Sequence, residues 1–189
     1  MKKNIIFGAI IIIIIIGIFG YLIVNNVSTS ELTGDSGNNT TNLMSSSKGG
    51  VMVQYPSDWV LSESPSNASV IALAKADSVD GSKVGQVTVN VEKKEIEGNF
   101  KDFVNSTYTS MQHDTSFNLT SSGDVLIGDK NATEYVYISN VNGTVKEHKA
   151  LWFDKGSQAY VVLYSAPVDQ FDANLNEFDY IMEHMQIGA

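Results

Sequence analysis

The chain has 189 residues, a formal net charge of −9, twelve lysines, no arginine and no cysteine. Without the arginine fork for phosphate and guanine, and with an acidic balance that forfeits counterion release, nucleic acid is a poor partner. The absence of cysteine excludes disulfides, thiolate metal sites and a cysteine nucleophile.

In chain order, residues 1–4 are expected to be a short cytoplasmic N-terminus. Residues 5–24, "IIFGAIIIIIIIGIFGYLIV", carry no charge. Twenty residues at ~1.5 Å each span about 30 Å, a bilayer core, so the tract is expected to be one transmembrane helix. Lys2 and Lys3 precede it and no further basic residue occurs before Lys48, which orients the remainder outward. A cleaved leader would have a shorter apolar stretch and a small-residue cleavage site. "VNNVSTS" has no such site, so the expectation is an uncleaved anchor in the cell membrane. Residues 25–50, "NNVSTSELTGDSGNNTTNLMSSSKGG", have little to bury and are expected to be a disordered linker. Its reach as a flexible coil is roughly 25–30 Å. The "GDSG" at 34–37 looks like a serine-protease nucleophile motif, but a nucleophile needs a rigid scaffold and this copy lies in the linker.

Residues 51–189 read as the globular domain. "VMVQY" is a strand ended by Pro56, and "VIALA" at 70–74 is a second. In "GQVTVNVEKK" the residues Val87, Val89 and Val91 alternate with Thr88, Asn90 and Glu92, the pattern of a half-buried strand. Asp80-Gly81 is a turn signal between the last two. Phe100, Phe103, Val104, Thr107, Tyr108 and Met111 share one helical stripe, with Asn99 as N-cap. The strands "DVLIGDK", "ATEYVYISN", "TVKEHKALWF" and "SQAYVVLYSA" follow, with hairpin turns at Asn142-Gly143 and Gly156. "AYVVLY" is apolar on both faces and is expected to be central, ended by Pro167. Val168, Phe171, Leu175, Phe178, Met182 and Met185 predict a closing amphipathic helix. Strands joined by hairpins, with two helices, predict an α+β fold: an antiparallel sheet covered by helices on both faces, an α/β/α sandwich.

These residues resemble the PsbP-like family, through "VQYPSDWV", "VLIGDKNATEYVYI" and "AYVVLYSAP…F", over about residues 50–187. The resemblance implies an antiparallel sheet sandwiched by helices, with membrane-anchored archaeal relatives among the family. It implies no functional residue, and no manganese or calcium retention is carried over.

Few constellations suggest chemistry. His113, His148 and His184 are scattered, and none has a metal-ligand partner at close spacing. "DSVDGSK" at 77–83 places Thr88 where an EF-hand needs glutamate. Neither a cofactor nor a metal is expected. Tyr135, Tyr137, Trp152, Phe153, Tyr160 and Tyr164 are strand aromatics that fill a core or line a groove; Tyr55, Trp59 and Trp152 are the ligand-groove candidates. The acceptor pattern N-x-S/T occurs at Asn26, Asn38, Asn39, Asn67, Asn105, Asn118, Asn131 and Asn142, against roughly three by chance. Asn67, Asn105, Asn118, Asn131 and Asn142 are the glycosylation candidates within the folded part. The expected function is a non-enzymatic, outward-facing module that binds or stabilises an envelope protein or complex. The alternatives are an envelope-acting hydrolase and a small-ligand sensor.

Overall fold

A computed structural model describes residues 43–141 and 143–188. The expected anchor at 5–24, the "GDSG" at 34–37, and Asn26, Asn38, Asn39 and Asn142 lie outside the described residues. Among the described residues no helix is long and apolar enough to cross a membrane.

Among the described residues, ten strands and two α-helices follow one another: β1 (Leu43–Lys48), β2 (Val51–Pro56), β3 (Trp59–Leu61), β4 (Ser69–Lys75), β5 (Thr88–Glu95), α1 (Phe100–Met111), β6 (Phe117–Ile127), β7 (Lys130–Val141), β8 (Thr144–Asp154), β9 (Gln158–Pro167), α2 (Leu175–Glu183) and β10 (Met185–Ile187). Seven strands make one sheet in the order β3-β4-β5-β9-β8-β7-β6, and β1-β2-β10 make a second. Every pairing is antiparallel. The doubly apolar run of β9 lies between β5 and β8 and is buried from Ala159 to Ala166. Val141 pairs with Thr144 across the hairpin, where Gly143 adopts φ +84°, a conformation suited to glycine.

Alternation along β9 divides the core in two. Tyr160, Val162 and Tyr164 face β2, α2 and β10, while Val161 and Leu163 face α1. This corrects the expected α/β/α sandwich: the described residues are predominantly β, and helices do not form the layers on both faces. One face carries the single helix α1. Over the other lies the three-stranded sheet, with the nine-residue α2 beside it. The reason is that two segments became strands. β1 forms from residues 43–48, expected to belong to the linker. β10 takes Met185 out of the closing helix; α2 ends at Glu183, and a short 3-10 turn (Asp172–Asn174) precedes it. Gly49 joins β1 to β2 at φ +63°, and a Cβ there would lie 2.5 Å from Val70 Cγ1, so only glycine fits.

β5 also departs from expectation. Thr88, Asn90 and Glu92 are buried rather than solvated. Ser69 Oγ donates to Asn90 Oδ1 at 2.6 Å, Asn90 Nδ2 donates to Glu92 Oε1 at 3.3 Å, and Lys94 pairs with Glu92 at 2.7 Å. The N-cap of α1 is as expected: Asn99 Oδ1 accepts from the backbone N–H groups of Lys101 and Asp102. Asn99→Ala is expected to lower stability by about 1 kcal/mol in urea unfolding, since it leaves two first-turn donors without a side-chain acceptor. Asn99→Ser should recover most of the loss.

Candidate functional site

A mixed polar and apolar surface lies where the first half of α1 crosses the β6–β7 hairpin. A cleft of about 500 Å³ is lined by Phe100 and Lys101 from α1, Asp124 and Leu126 from β6, Thr133 from β7 and Trp152 from β8, among others. A second hollow of about 230 Å³ continues between α1 and β6, past Asn105 and Gly123. The helix is fixed over the hairpin by an aromatic cluster. Tyr108 stacks on Tyr135 at 3.6 Å between ring centres, and Trp152 meets Tyr108 edge-on at 6.4 Å. Trp152 Nε1 donates to Tyr108 Oη at 2.9 Å, and Tyr135 Oη donates to Asn105 Oδ1 at 2.8 Å. Burial pushes the Tyr108 phenol well above its ordinary range.

The polar groups of the cleft are largely engaged with each other. Thr133 Oγ1 donates to Asp124 Oδ1 at 3.0 Å, and Lys101 Nζ lies 3.3 Å from Asp124 Oδ2. The Thr133 hydrogen bond and then the Lys101 ammonium hold the Asp124 carboxyl below its usual range, so it is ionised at neutral pH. Asp154 Oδ1 accepts from the Gly156 backbone at 2.9 Å. Leu126 is 66% exposed, a high value for a leucine beside a cleft.

The three aromatics singled out in the sequence do not come together. Trp152 borders the cleft although its ring is almost wholly buried. Tyr55 and Trp59 belong to the core on the opposite face of the sheet. Trp59 Nε1 donates to Glu177 Oε2 at 2.7 Å, and Lys75 pairs with Glu177 Oε1 at 2.6 Å, which clasps α2 to β3 and β4. Of the other aromatics, Phe153, Tyr160 and Tyr164 fill that same core, while Tyr135 and Tyr137 pack under α1. Asn67, Asn105, Asn118 and Asn131 are all exposed, on a loop, α1, β6 and β7 respectively.

The histidines are likewise dispersed. His113 is exposed, and His184 Nδ1 lies 2.8 Å from the Tyr180 carbonyl oxygen at the end of α2. His148 is fully buried in β8. Among the described residues no group of three or more His, Asp or Glu side chains is placed to hold a metal ion. Asp80, in the turn after β4, accepts from Ser82 N, Val84 N and Gln86 Nε2. Lys101, Asp124, Leu126 and Thr133 escaped the sequence reading. Asp124 and Leu126 fall within the expected strand "DVLIGDK", but only its register with β7 brings Asp124 opposite Thr133.

No protein-family model matches the sequence, and no curated protein matches it. Among solved structures, cyanobacterial PsbP (CyanoP) from Synechocystis sp. PCC 6803 is 16% identical with a TM-score of 0.55, over 82% of this chain and 98% of that one. LpqN of Mycobacterium tuberculosis, involved in cell envelope biogenesis, is 14% identical with a TM-score of 0.53, over 72% of this chain and 82% of that one. The fold is PsbP-like. A Bacteroides thetaiotaomicron structure also matches at 16% identity and a TM-score of 0.49, covering 73% of this chain, which spans only 45% of that longer chain. At these identities the likeness concerns the fold alone.

Proposed function

We propose that this chain is a non-enzymatic binding domain, tethered by residues 5–24 to the outer face of the cell membrane, that holds an envelope protein or complex. The observation that carries this reading is the α1–hairpin cleft. It pairs an exposed apolar side chain, Leu126, with polar groups already bonded to one another. General acid–base or nucleophilic chemistry needs a group with spare bonding capacity and a pKa near the working pH. Asp124 is held below the usual carboxylate range and is bonded to Thr133 and Lys101, so it does not meet the pKa condition for a general acid at neutral pH. An apolar contact rimmed by satisfied polar groups is instead the anatomy of a recognition surface. The uncharged tract, with Lys2 and Lys3 before it, supports the anchored orientation. The involvement of LpqN in cell envelope biogenesis suits a partner in the same compartment.

The test is site-specific photo-crosslinking of the full-length protein in intact cells, with the crosslinker placed in turn at Met52, Leu126 and Val168, all exposed. One protein recurring from at least one site is the expected result. No recurring protein, together with breakdown of envelope polymers by the purified full-length chain, would establish the hydrolase instead.

A further inference from the structure

The edge of the large sheet says how a partner could be held. β6 is the terminal strand, and among the described residues it pairs only with β7. Its bulge lies between Leu119 and Ser121, so residues 121–127 run regularly against β7 and present alternate N–H and C=O groups outward. Those residues are exposed or half-buried. The opposite edge strand, β3, has only three residues. Both hollows lie along the same part of β6, with α1 as the far wall. At Gly123, inside this segment, a Cβ would meet nothing within 4 Å. A glycine within a strand marks a place where another backbone can approach.

We propose that residues 121–127 of β6 receive an extended segment of the partner protein as an added strand, and that this segment carries a lysine or arginine. The proposal rests on the binding role argued above and specifies its site and chemistry. Backbone hydrogen bonds along β6 give the strand its register, and the hollow beside Phe100, Leu126 and Trp152 takes alternate side chains. The charged residues lining the larger cleft are one cation, Lys101, and two anions, Asp124 and Asp154, on a chain of net charge −9. The excess of negative charge favours a basic segment.

The other occupants fit less well. A second copy adding β6 to β6 antiparallel about Gly123 would bring two Asp124 carboxylates to one ladder between two strongly acidic chains. The chain's own residues 25–42 meet the domain at Leu43, opposite Pro56, at the far end of β1 from Gly49. Gly49 lies by the start of β9, where its carbonyl oxygen accepts from Tyr160 Oη, the same end of the sheet as Asp154 and the cleft.

Phage-displayed random dodecapeptides would be selected on the full-length protein in detergent micelles, and the enriched peptides resynthesised. The expected peptides alternate apolar side chains and include lysine or arginine. Their addition should slow amide exchange in residues 121–127 at least tenfold. Leu126→Asp should weaken binding at least tenfold, while Met52→Asp, on the second sheet, leaves it unchanged. Peptides indifferent to Leu126→Asp, or protection confined to other residues, would overturn strand addition. So would protection of 121–127 that rises with protein concentration when no peptide is present, which would assign the edge to a second copy. A cellular partner that crosslinks from Met52 or Val168 but not from Leu126 would also overturn it, while leaving the binding role standing.

Discussion

Lowering the pH from 7 to 4.5 is expected to remove about 2–3 kcal/mol of stability through His148 alone. The ring is fully buried between β7 and β9. Its Nε2 lies 2.8 Å from Ser139 Oγ and its Nδ1 2.7 Å from Ser165 Oγ, and it stacks on Tyr137 at 4.7 Å. Burial, and secondarily the nearby Lys146 ammonium, push its pKa down to about 3 from the usual 6.5. Because the folded value is the lower one, the unfolded chain takes up a proton first. The contribution is therefore complete above pH 6.5 and is lost as pH falls toward 3. In that window the unfolded state binds up to one proton more than the folded state, a slope of about 1.4 kcal/mol per pH unit. Exposed carboxylates held low, such as Asp124 and Asp80, add their own loss nearer their ordinary pKa, so the histidine must be isolated. His148→Gln keeps a donor and an acceptor for the two serines but has no proton to gain. Urea unfolding of both proteins at pH 7 and 4.5 should show the wild type losing about 2–3 kcal/mol more than the variant. Equal losses would refute the assignment. An NMR titration gives an independent check, because the folded His148 ring should not titrate between pH 7 and 4.5.

Much of the fold was legible because its signals are local. The stripe from Phe100 to Met111 and the cap at Asn99 define α1 without reference to the rest of the chain. The apolar run of β9 and the glycine turns at 143 and 156 set the central strands. What was not legible depends on partners distant in sequence. "LMSSSK" has no strand pattern of its own and becomes β1 only against β2. Met185 sits at helical spacing from Met182, yet pairing with Val53 draws it into β10. Glu92 looks like a solvent-facing residue of an alternating strand, but it is buried with Asn90 and Lys94 as partners. Trp59 looks like a free aromatic beside a proline. Its indole N–H is committed to a glutamate 118 residues away, and neither residue reveals that alone. The cleft is hidden for the same reason, since α1 and β6 become its walls only after β7, β8 and β9 have set the sheet order.

The largest loss from a single side chain is expected at Trp152, where the core under α1 meets the cleft. Its ring is 1% exposed, meets Phe103 edge-on at 6.0 Å and Tyr108 at 6.4 Å, and donates to the Tyr108 hydroxyl. Trp152→Ala removes the apolar area, leaves a cavity beneath α1 and strands that hydroxyl, at a cost of about 3–5 kcal/mol. Trp152→Phe restores most of the ring but not the hydrogen bond, and should cost about 1–3 kcal/mol. The two variants separate packing from the polar contact in one urea series. They also separate scaffold from surface. Leu126 is exposed, so Leu126→Asp should leave the unfolding midpoint nearly unchanged while abolishing peptide capture. Trp152→Phe lowers stability and sets the scale of a loss from the core. If Leu126→Asp lowered the midpoint as much as Trp152→Phe does, Leu126 would be part of the core and the cleft would not be a free recognition surface.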